Sequence, residues 1–495
     1  MKPSTVKIKK MPSRFKHQVP KYKVTRSAAC INCGTCAKSC PYGVHERLEG
    51  YNKMSVPIDY KCIGFECQNN NFYCVAKCPR NALSVTLNPM YETLGDFRWT
   101  ADMITATWIM AETGYPPERS DLEYNTGNSG GGFDKLRLKF PSGHPKIDKF
   151  EISTEIPLNR RNDGRANVTI STPVYGGGMS FGSVSLPTMV SKARNATLWN
   201  TFTCTGEGGY PEVLQPYNDH VITQVATGLF GVREETIQRV KIVEFKYAQG
   251  AKPGLGGHLL GEKNTESVAR MREAVKGTSL FSPFPFHSVY SIEDHKKHID
   301  WIKQMNPNAL VSVKVSTPND VDMVAVGSYY AGAHIIHIDG GYGGTGAAPD
   351  IAKKNIAMPI EYAITKVHNF LKDEGARHAV TLIASGGIRT AHDLAKAICL
   401  GADGAVIGTA EMVSLECVRC GNCESGRGCA RGIASTDSVL ADLFNEEWAT
   451  QRLVNMYHAW NVQLVEILQK FGMRSVTELV GRTDLLTHID YSESR

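Results

Sequence analysis

Cysteine placement is the sequence feature that most narrows what this chain can fold into. Of the 14 cysteines among 495 residues, 12 fall in three tight groups, and only Cys204 and Cys399 stand apart. The N-terminus lacks the apolar run of roughly 7–15 residues that a secretory signal needs. Clustered thiols in such a chain indicate metal ligation and not disulfides, so a small disulfide-stabilised scaffold is excluded.

The first two groups form an imperfect internal repeat. One reads Cys-x2-Cys-x2-Cys-x3-Cys-Pro and the other Cys-x4-Cys-x6-Cys-x3-Cys-Pro. In two-cluster ferredoxins the last cysteine of each run ligates the other cluster. We therefore expect two [4Fe–4S] clusters, although the longer gaps of the second run leave zinc as an alternative there. The expected ligand sets are Cys30, Cys33, Cys36 and Cys78 for one cluster, and Cys62, Cys67, Cys74 and Cys40 for the other.

Short β-rich runs that end in glycine-rich loops, each followed by a helical segment, begin at about residue 166. Eight such units over about 250 residues predict an α/β fold, a (β/α)8 TIM barrel, rather than a doubly wound sheet. The glycine-rich loops would then gather at one end, where an active site belongs. The expected strands are Val168–Ser171, Thr201–Thr205, Val221–Val225, Val240–Tyr247, Leu310–Val315, His334–Ile338, Val380–Ala384 and Ala405–Ile407.

Five segments result from these patterns. Residues 1–27 form a basic tail without acidic residues, which can steer an acidic partner but is more simply a solvated terminus. Asp437 can cap a long helix that ends at Gly472, and one helix is expected near 97–112. The segments are the tail (1–27), a small α+β ferredoxin-like domain (28–87), a linker with partial structure (88–165), the barrel (166–436) and a C-terminal helical segment (437–495).

Two late loops of the barrel predict a phosphate site. Gly386 and Gly387 follow one strand, and Gly408 and Thr409 follow the next. Glycine lets a phosphate approach backbone N–H groups, and the last two loops of a barrel often bind one. The Gly341–Gly346 run matches the dinucleotide pattern G-x-G-x-x-G, but it lies inside the barrel repeat and not in a Rossmann unit.

Two further features point to the same end of the barrel. Lys314 interrupts an apolar strand, and a buried charge is costly unless an anion pairs with it, so in a flavin site it could stabilise the reduced ring. The third cysteine group follows the last strand, and a cluster there would lie beside whatever the barrel binds. Its members are Cys417, Cys420, Cys423 and Cys429.

The loops resemble, in order across about 165–436, the FMN domain of glutamate synthase, and the fused two-cluster module is similar to that of the short archaeal-type glutamate synthases. The matching stretches are Gly178–Ser183, Thr205–Gly209, Lys246 with Gln249–Gly254, Ser288–Asp294, Gly343–Ala347 and the Cys417 group.

This resemblance implies an oxidoreductase acting on CH–NH2 groups. It would bind FMN, receive electrons through Fe–S clusters and convert 2-oxoglutarate and ammonia, through 2-iminoglutarate, to L-glutamate. The implied catalytic residues are Glu207 at the ammonia entry, Lys246, Lys252 and Arg272 on the dicarboxylate, and His258. The implied flavin-binding residues are Gly178, Met179, Ser180, Lys314, Gly343, Gly344, Thr345, Gly386, Gly387, Gly408 and Thr409.

The chain departs from the family pattern at three points. His258 stands where Gln is common, and the added Cys420 favours [4Fe–4S] over the family's usual [3Fe–4S] at the third group. No glutamine amidotransferase domain and no nucleotide-binding half are apparent. We therefore expect a hetero-oligomer with a separate glutaminase-type subunit, and ferredoxin or an NAD(P)H-oxidising subunit as electron donor.

The sequence also supports expectations about the cellular location and leaves several rival functions open. No apolar run reaches the ~18 residues of a membrane span, so we expect a soluble cytoplasmic enzyme without membrane or nucleic-acid partners. The nearest rival is the flavin subunit of N-methylglutamate synthase, which would use methylamine. Inosine-monophosphate dehydrogenase has similar phosphate loops but a single loop cysteine. A non-enzymatic electron-transfer or assembly subunit is the remaining alternative.

Overall fold

A computed structural model describes residues 6–14, 19–117, 132–143, 147–283, 285–344, 348, 351–352, 355–424 and 428–494. The strands are β1 (Tyr22–Arg26), β2 (Leu83–Leu87), β3 (Leu136–Leu138), β4 (Ile156–Pro157), β5 (Thr169–Ile170), β6 (Val174–Gly176), β7 (Thr203–Cys204), β8 (Val221–Ala226), β9 (Ile242–Lys246), β10 (His258–Leu259), β11 (Leu280–Phe281), β12 (Leu310–Ser316), β13 (Ile335–Asp339), β14 (Thr381–Ser385), β15 (Gly404–Ile407) and β16 (Leu486–His488). The helices are α1 (Thr35–Ser39), α2 (Ala101–Thr113), α3 (Gly132–Lys135), α4 (Leu186–Leu198), α5 (Glu234–Arg239), α6 (Glu266–Arg272), α7 (Ile292–Met305), α8 (Val321–Ala331), α9 (Ile360–Asp373), α10 (Ala391–Leu400), α11 (Thr409–Ser414), α12 (Ser438–Asp442) and α13 (Glu446–Phe471).

Eight parallel strands form the predicted barrel, in the order β6-β15-β14-β13-β12-β9-β8-β7. The backbone N–H of Gly176 on β6 donates to the carbonyl of Phe202, beside β7, at 2.9 Å and closes the circle. Strands β12 and β13 are rich in Val and Ile, although Ser, Lys, His and Asp interrupt them, because helices cover a parallel sheet from outside and side chains fill its interior. The predicted fold class is confirmed.

Seven of the eight expected runs coincide with barrel strands, and the first does not. Within Val168–Ser171, β5 pairs antiparallel with β4 outside the barrel, and the first barrel strand is β6. The pattern favoured the wrong run because β6 has three residues and passes directly into the glycines that follow Gly176.

The N-terminal domain begins earlier than its charge pattern suggested. Strand β1 lies inside the expected basic tail and pairs with β2 in antiparallel register from Tyr22 opposite Leu87 to Arg26 opposite Leu83. Residues 6–14 are also held in place, because the Trp448 indole N–H donates to the Pro12 carbonyl at 2.9 Å. The boundary at residue 28 is therefore corrected to the start of β1.

The two predicted helices outside the barrel are present, with one correction. Helix α2 covers the expected 97–112 region and packs against α11 and α13. Asp437 caps only the short α12. Asn445 caps the long α13, where its side chain accepts a hydrogen bond from the backbone N–H of Trp448. The helix ends as expected at Gly472, whose φ of 74° is left-handed.

The main hydrophobic core lies inside and around the barrel, and α2, α4 and α13 extend it. A separate small core fills the N-terminal domain beneath β1 and β2. None of the helices in the described part of the chain combines the length and apolarity that a membrane crossing requires.

Candidate functional site

A cavity of about 310 Å³ opens at the carboxyl ends of the barrel strands. Side chains and glycines from the loops after β6, β7, β9, β13, β14 and β15 line it, together with Lys314 on β12. This is the end at which barrel enzymes carry their active sites, and the volume is that of a ligand pocket.

The expected flavin-binding residues are brought together at this cavity. Gly386 has φ 88°, and a Cβ there would lie 2.5 Å from the Gly340 carbonyl oxygen, so only glycine lets this loop pass so close to the next one. Thr345 falls outside the described residues. The residues of that set that line the cavity are Gly178, Met179, Ser180, Lys314, Gly343, Gly344, Gly386, Gly387, Gly408 and Thr409.

Lys314 is buried and ion-paired. Its Nζ lies 3.3 Å from the Asp339 carboxylate, which also accepts from Ser385 Oγ at 2.6 Å and the Gly250 N–H at 3.0 Å. Burial by itself lowers the pKa of Lys314, but Asp339 and Glu244 outweigh it and the net shift is upward. The ammonium therefore stays charged at the cavity wall.

A hydrogen-bonded chain continues from this pair into the barrel interior. His337 contacts Ser385 Oγ at 2.7 Å and the Glu244 carboxylate at 3.0 Å. Gln224 Nε2 donates to the other Glu244 oxygen at 2.7 Å. Burial acts to raise the pKa values of Glu244 and Asp339, but His337 and Lys314 respectively outweigh it, and both pKa values fall to about 2.

Two lysines and one carboxylate meet next to Lys314, because Lys246 at the end of β9 is paired in register with Lys314 on β12. Lys246 Nζ lies 3.1 Å from Glu207 Oε2. Burial acts to raise the pKa of Glu207, but Lys246 outweighs it and the pKa falls below its usual range. Lys252 is 3% exposed, and among the described residues no carboxylate lies within ion-pairing distance of it. This wall therefore carries more positive than negative charge.

His258 contacts the unpaired lysine. Its Nδ1 lies 3.4 Å from Lys252 Nζ, which acts as the donor. Burial and, after it, the Lys252 charge lower the pKa of His258, so the ring is neutral at pH 7. Since Nδ1 accepts, Nε2 carries the ring proton and is a donor.

Arg272 lines the cavity, but its contacts anchor a loop. Its Nη2 donates to Ser180 Oγ at 2.9 Å and to the Phe181 carbonyl at 3.0 Å. The guanidinium also lies over Gly208, where a Cβ would come within 2.7 Å of Arg272 Cζ. Arg272 therefore fixes the shape of the wall, in addition to the charge that the sequence analysis assigned to it.

The third cysteine group meets the same cavity through three of its members. Cys417, Cys423 and Cys429 line it, whereas Cys420 is exposed. Lys263 Nζ donates to the Cys423 carbonyl and pairs with Glu424 at 3.4 Å, so the loop is tied to the segment before α6.

The N-terminal cysteines of the two runs lie close together in the folded domain. Cys30, Cys33, Cys36 and Cys78 surround one small cavity. In the other set, burial raises the pKa of Cys74 to about 12, and the neighbouring Cys62, Cys40 and Cys67 thiols act in the same direction. The first grouping combines three cysteines of one run with the last cysteine of the other, and the assignment of both ligand sets stays a prediction.

Several residues at or behind the cavity wall escaped the sequence reasoning. Glu244 and His337, which lie behind the wall, are polar residues inside apolar strands, the same signal that singled out Lys314, and it could have found them. Arg98 and Trp99 line the cavity itself, from the segment between the two domains, and no motif marks them.

The fold and the site together define a barrel enzyme joined to an iron–sulfur domain. Residues 22–79 match the family model of a 4Fe–4S dicluster domain. Residues 135–474 match the model described as the conserved region in glutamate synthase. The chain belongs to the glutamate synthase family, and it is an oxidoreductase of the class that acts on CH–NH2 groups.

Several relatives match this chain over nearly the whole of both sequences. The chain is 36% identical to an archaeal-type glutamate synthase (NADPH) of Thermotoga maritima, over 98% of this chain and 96% of that protein. It is 35% identical to the archaeal glutamate synthase (NADPH) of Archaeoglobus fulgidus, over 95% and 94%. With the corresponding Methanocaldococcus jannaschii protein, identity is 36% over 96% of each chain. The predicted resemblance to archaeal-type glutamate synthase is confirmed.

Proposed function

We propose that this chain is the flavin and iron–sulfur subunit that reductively aminates 2-oxoglutarate with ammonia to L-glutamate. One observation carries the proposal: a single cavity is lined by phosphate-type glycine loops, by the Lys246 and Lys252 wall and by three cysteines of the third group. Sites for a cofactor, a dianionic substrate and a redox centre thus share one space.

The residues at the strand ends fit a flavin mononucleotide. Gly386 has no room for a Cβ, and Lys314 presents a buried positive charge, as a reduced ring requires. When bound, FMN supplies the hydride that reduces the imine carbon. Gly178, Met179 and Ser180 would line the ring side, and Gly408 and Thr409 the phosphate side.

Charge balance supports an anionic substrate such as 2-oxoglutarate. Glu207 neutralises Lys246, and Lys252 is left to bind one carboxylate in a site where burial strengthens the attraction. His258 adds a neutral N–H at Nε2 that can donate to a substrate oxygen. Arg272 holds the wall through the Ser180 loop. Holding one carboxylate on Lys252 and a further substrate oxygen on His258 would orient the carbonyl carbon for reaction.

Glu207 is placed to handle the amine. Its carboxylate is ionised and held by Lys246, and Ser282 Oγ lies 3.5 Å from its other oxygen. An ionised acceptor can hold an ammonium ion or take a proton from it as ammonia adds to the carbonyl carbon.

Electron entry would use the cysteine groups. We assign [4Fe–4S] clusters to the two N-terminal sets and a third cluster to Cys417, Cys423 and Cys429, with Cys420 as the fourth ligand of a [4Fe–4S] form. Ferredoxin or an NAD(P)H-oxidising subunit would supply electrons, and a separate glutaminase-type subunit would supply ammonia from glutamine.

An anaerobic assay tests the proposal. The purified full chain, reduced ferredoxin, 2-oxoglutarate and ammonium should yield glutamate, and K252M should lose most of this activity. The matched control is K303M, because Lys303 is a partly buried lysine outside the cavity that donates to the Gly332 carbonyl. Absence of glutamate at saturating ammonium refutes the proposal, and N-methylglutamate formed from methylamine in preference identifies the rival reaction.

A further inference from the structure

Arg98 is a buried cation without the partners that such a group requires. It lies in the segment between β2 and α2, and it is 7% exposed. Its Nε and Nη2 have no hydrogen-bond partner in the described part of the chain, and none of the described carboxylates forms an ion pair with it. Leaving buried charged donors unsatisfied is strongly unfavourable, so a ligand is the natural partner.

The guanidinium is held rigidly at the cavity. Its Cζ lies 3.9 Å from the ring centroid of Tyr342, which is a close cation–π stack. Tyr342 in turn packs against Gly387, whose Cβ position would be 3.4 Å from Tyr342 Cβ. Arg98 therefore lies one side chain away from the Gly386–Gly387 loop, and both line the same cavity.

The arginine of that loop is already engaged by the protein. Arg389 Nε donates to Asp393 at 2.8 Å, and its Nη2 donates to Asp134 at 2.6 Å. Its remaining nitrogen, Nη1, donates to the backbone carbonyl of Arg98 at 3.1 Å. Arg389 thus positions Arg98 and has no uncommitted nitrogen for an anion.

We propose that Arg98, from outside the barrel, binds the phosphate group of the flavin nucleotide through Nε and Nη2. Adjacent guanidinium donors match the spacing of phosphate oxygens. The inference rests on the proposed function, because it takes FMN as the occupant of the cavity. It makes the segment between the two domains part of the cofactor site.

Comparing FMN with riboflavin isolates the phosphate contact, because the two ligands differ only in that group. The full chain freed of flavin is titrated with each ligand, and bound flavin is measured by equilibrium dialysis. We expect R98Q to weaken FMN binding by about 10- to 100-fold, the usual loss for a charged hydrogen bond, and to leave riboflavin binding unchanged. R98K should recover part of the FMN affinity.

The control is R161Q. Arg161 also stacks on a tyrosine, with Cζ 4.6 Å from the Tyr329 ring, but it donates to the Tyr329 and Ala333 carbonyls and does not line the cavity. Equal losses for FMN and riboflavin in R98Q and R98K, or no loss of FMN binding, would overturn the inference alone. A wild-type chain that binds neither flavin would overturn the proposed function.

Discussion

Single residues at the barrel mouth show how charge can be buried in an apolar strand. Glu244, 3% exposed, accepts hydrogen bonds from Gln224 and Ser312 and contacts His337. Lys314 and Asp339 form an ion pair beside it. Burying each ion alone would be prohibitive, and the pairing offsets that cost only because nearly every oxygen has a partner. Such a network keeps the cavity wall in one charge state.

The Glu244 carboxyl makes the free energy of unfolding depend on pH. Its pKa of about 2 in the folded chain is below the value of an unfolded glutamate, so its contribution is complete above about pH 4.5. That contribution, about 3 kcal/mol, is lost as the pH falls toward 2. We expect E244Q to lower the free energy of unfolding at pH 7 and to flatten its fall between pH 5 and about 3. Urea titrations by circular dichroism measure this, and an unchanged pH slope would contradict the assignment.

A substitution at Gly257 tests whether the reaction depends on the position of the Glu207 carboxylate. A Cβ at residue 257 would lie 1.0 Å from Glu207 Oε1, so G257A must displace that carboxylate from Lys246. We expect kcat/KM for 2-oxoglutarate to fall by about 10- to 100-fold, because misplacing a reacting group by an ångström has this effect. G143A is the matched control, since a Cβ there meets nothing within 4 Å. Equal activity of the two variants would show that Glu207 has no role in the reaction.

Among the elements, α13 organises more of the molecule than its sequence pattern indicates. The pattern predicted an amphipathic helix packed on the barrel, and α13 does pack against α4. Its buried polar residues also bind other segments: Arg452 donates to the carbonyls of Ser414, Trp108 and Met11. Hydrophobic periodicity gives the helix and its buried face. It cannot give these contacts, because the acceptors are backbone carbonyls that any residue offers.

Substituting Asn455 distinguishes the backbone contacts that hold the N-terminal segment from the charge of that segment. Its Nδ2 donates to the carbonyls of Lys9, Ala111 and Glu112 at 2.8–3.1 Å. We expect N455A to destabilise the fold by about 2 kcal/mol and to expose the segment to trypsin. K9A should change stability by less than about 0.5 kcal/mol, because the exposed Lys9 ammonium is not the group that α13 contacts. Comparable effects of both substitutions would mean that charge holds the segment.

At the scale of the whole molecule, sequence reasoning recovers the modules and misses how they join. Cysteine spacing and the repeated β-runs were enough for a ferredoxin-like domain and a barrel, because each is encoded locally. The join depends on contacts across the chain: the Gly95 N–H donates to the Val418 carbonyl, and Arg419 pairs with Asp96 at 2.7 Å. No local pattern marks such pairs. For the same reason Arg98 was not predicted, although Lys314, in an apolar strand, was.

The segment between the two domains connects the N-terminal cysteine groups with the loop that carries the third group. Cluster ligation within the N-terminal domain can be tested on the whole protein. Cys78 lies with Cys30, Cys33 and Cys36 around one cavity, whereas Cys40 is close to the second set. We expect C78S to perturb the cluster of the first run and C40S that of the second, the reverse of their order in sequence. Iron content should fall, and EPR of the reduced chain should lose a different signal in each variant. C30S and C62S provide the reference: C78S should match C30S, and C40S should match C62S. The opposite matching would mean that each run holds its own cluster.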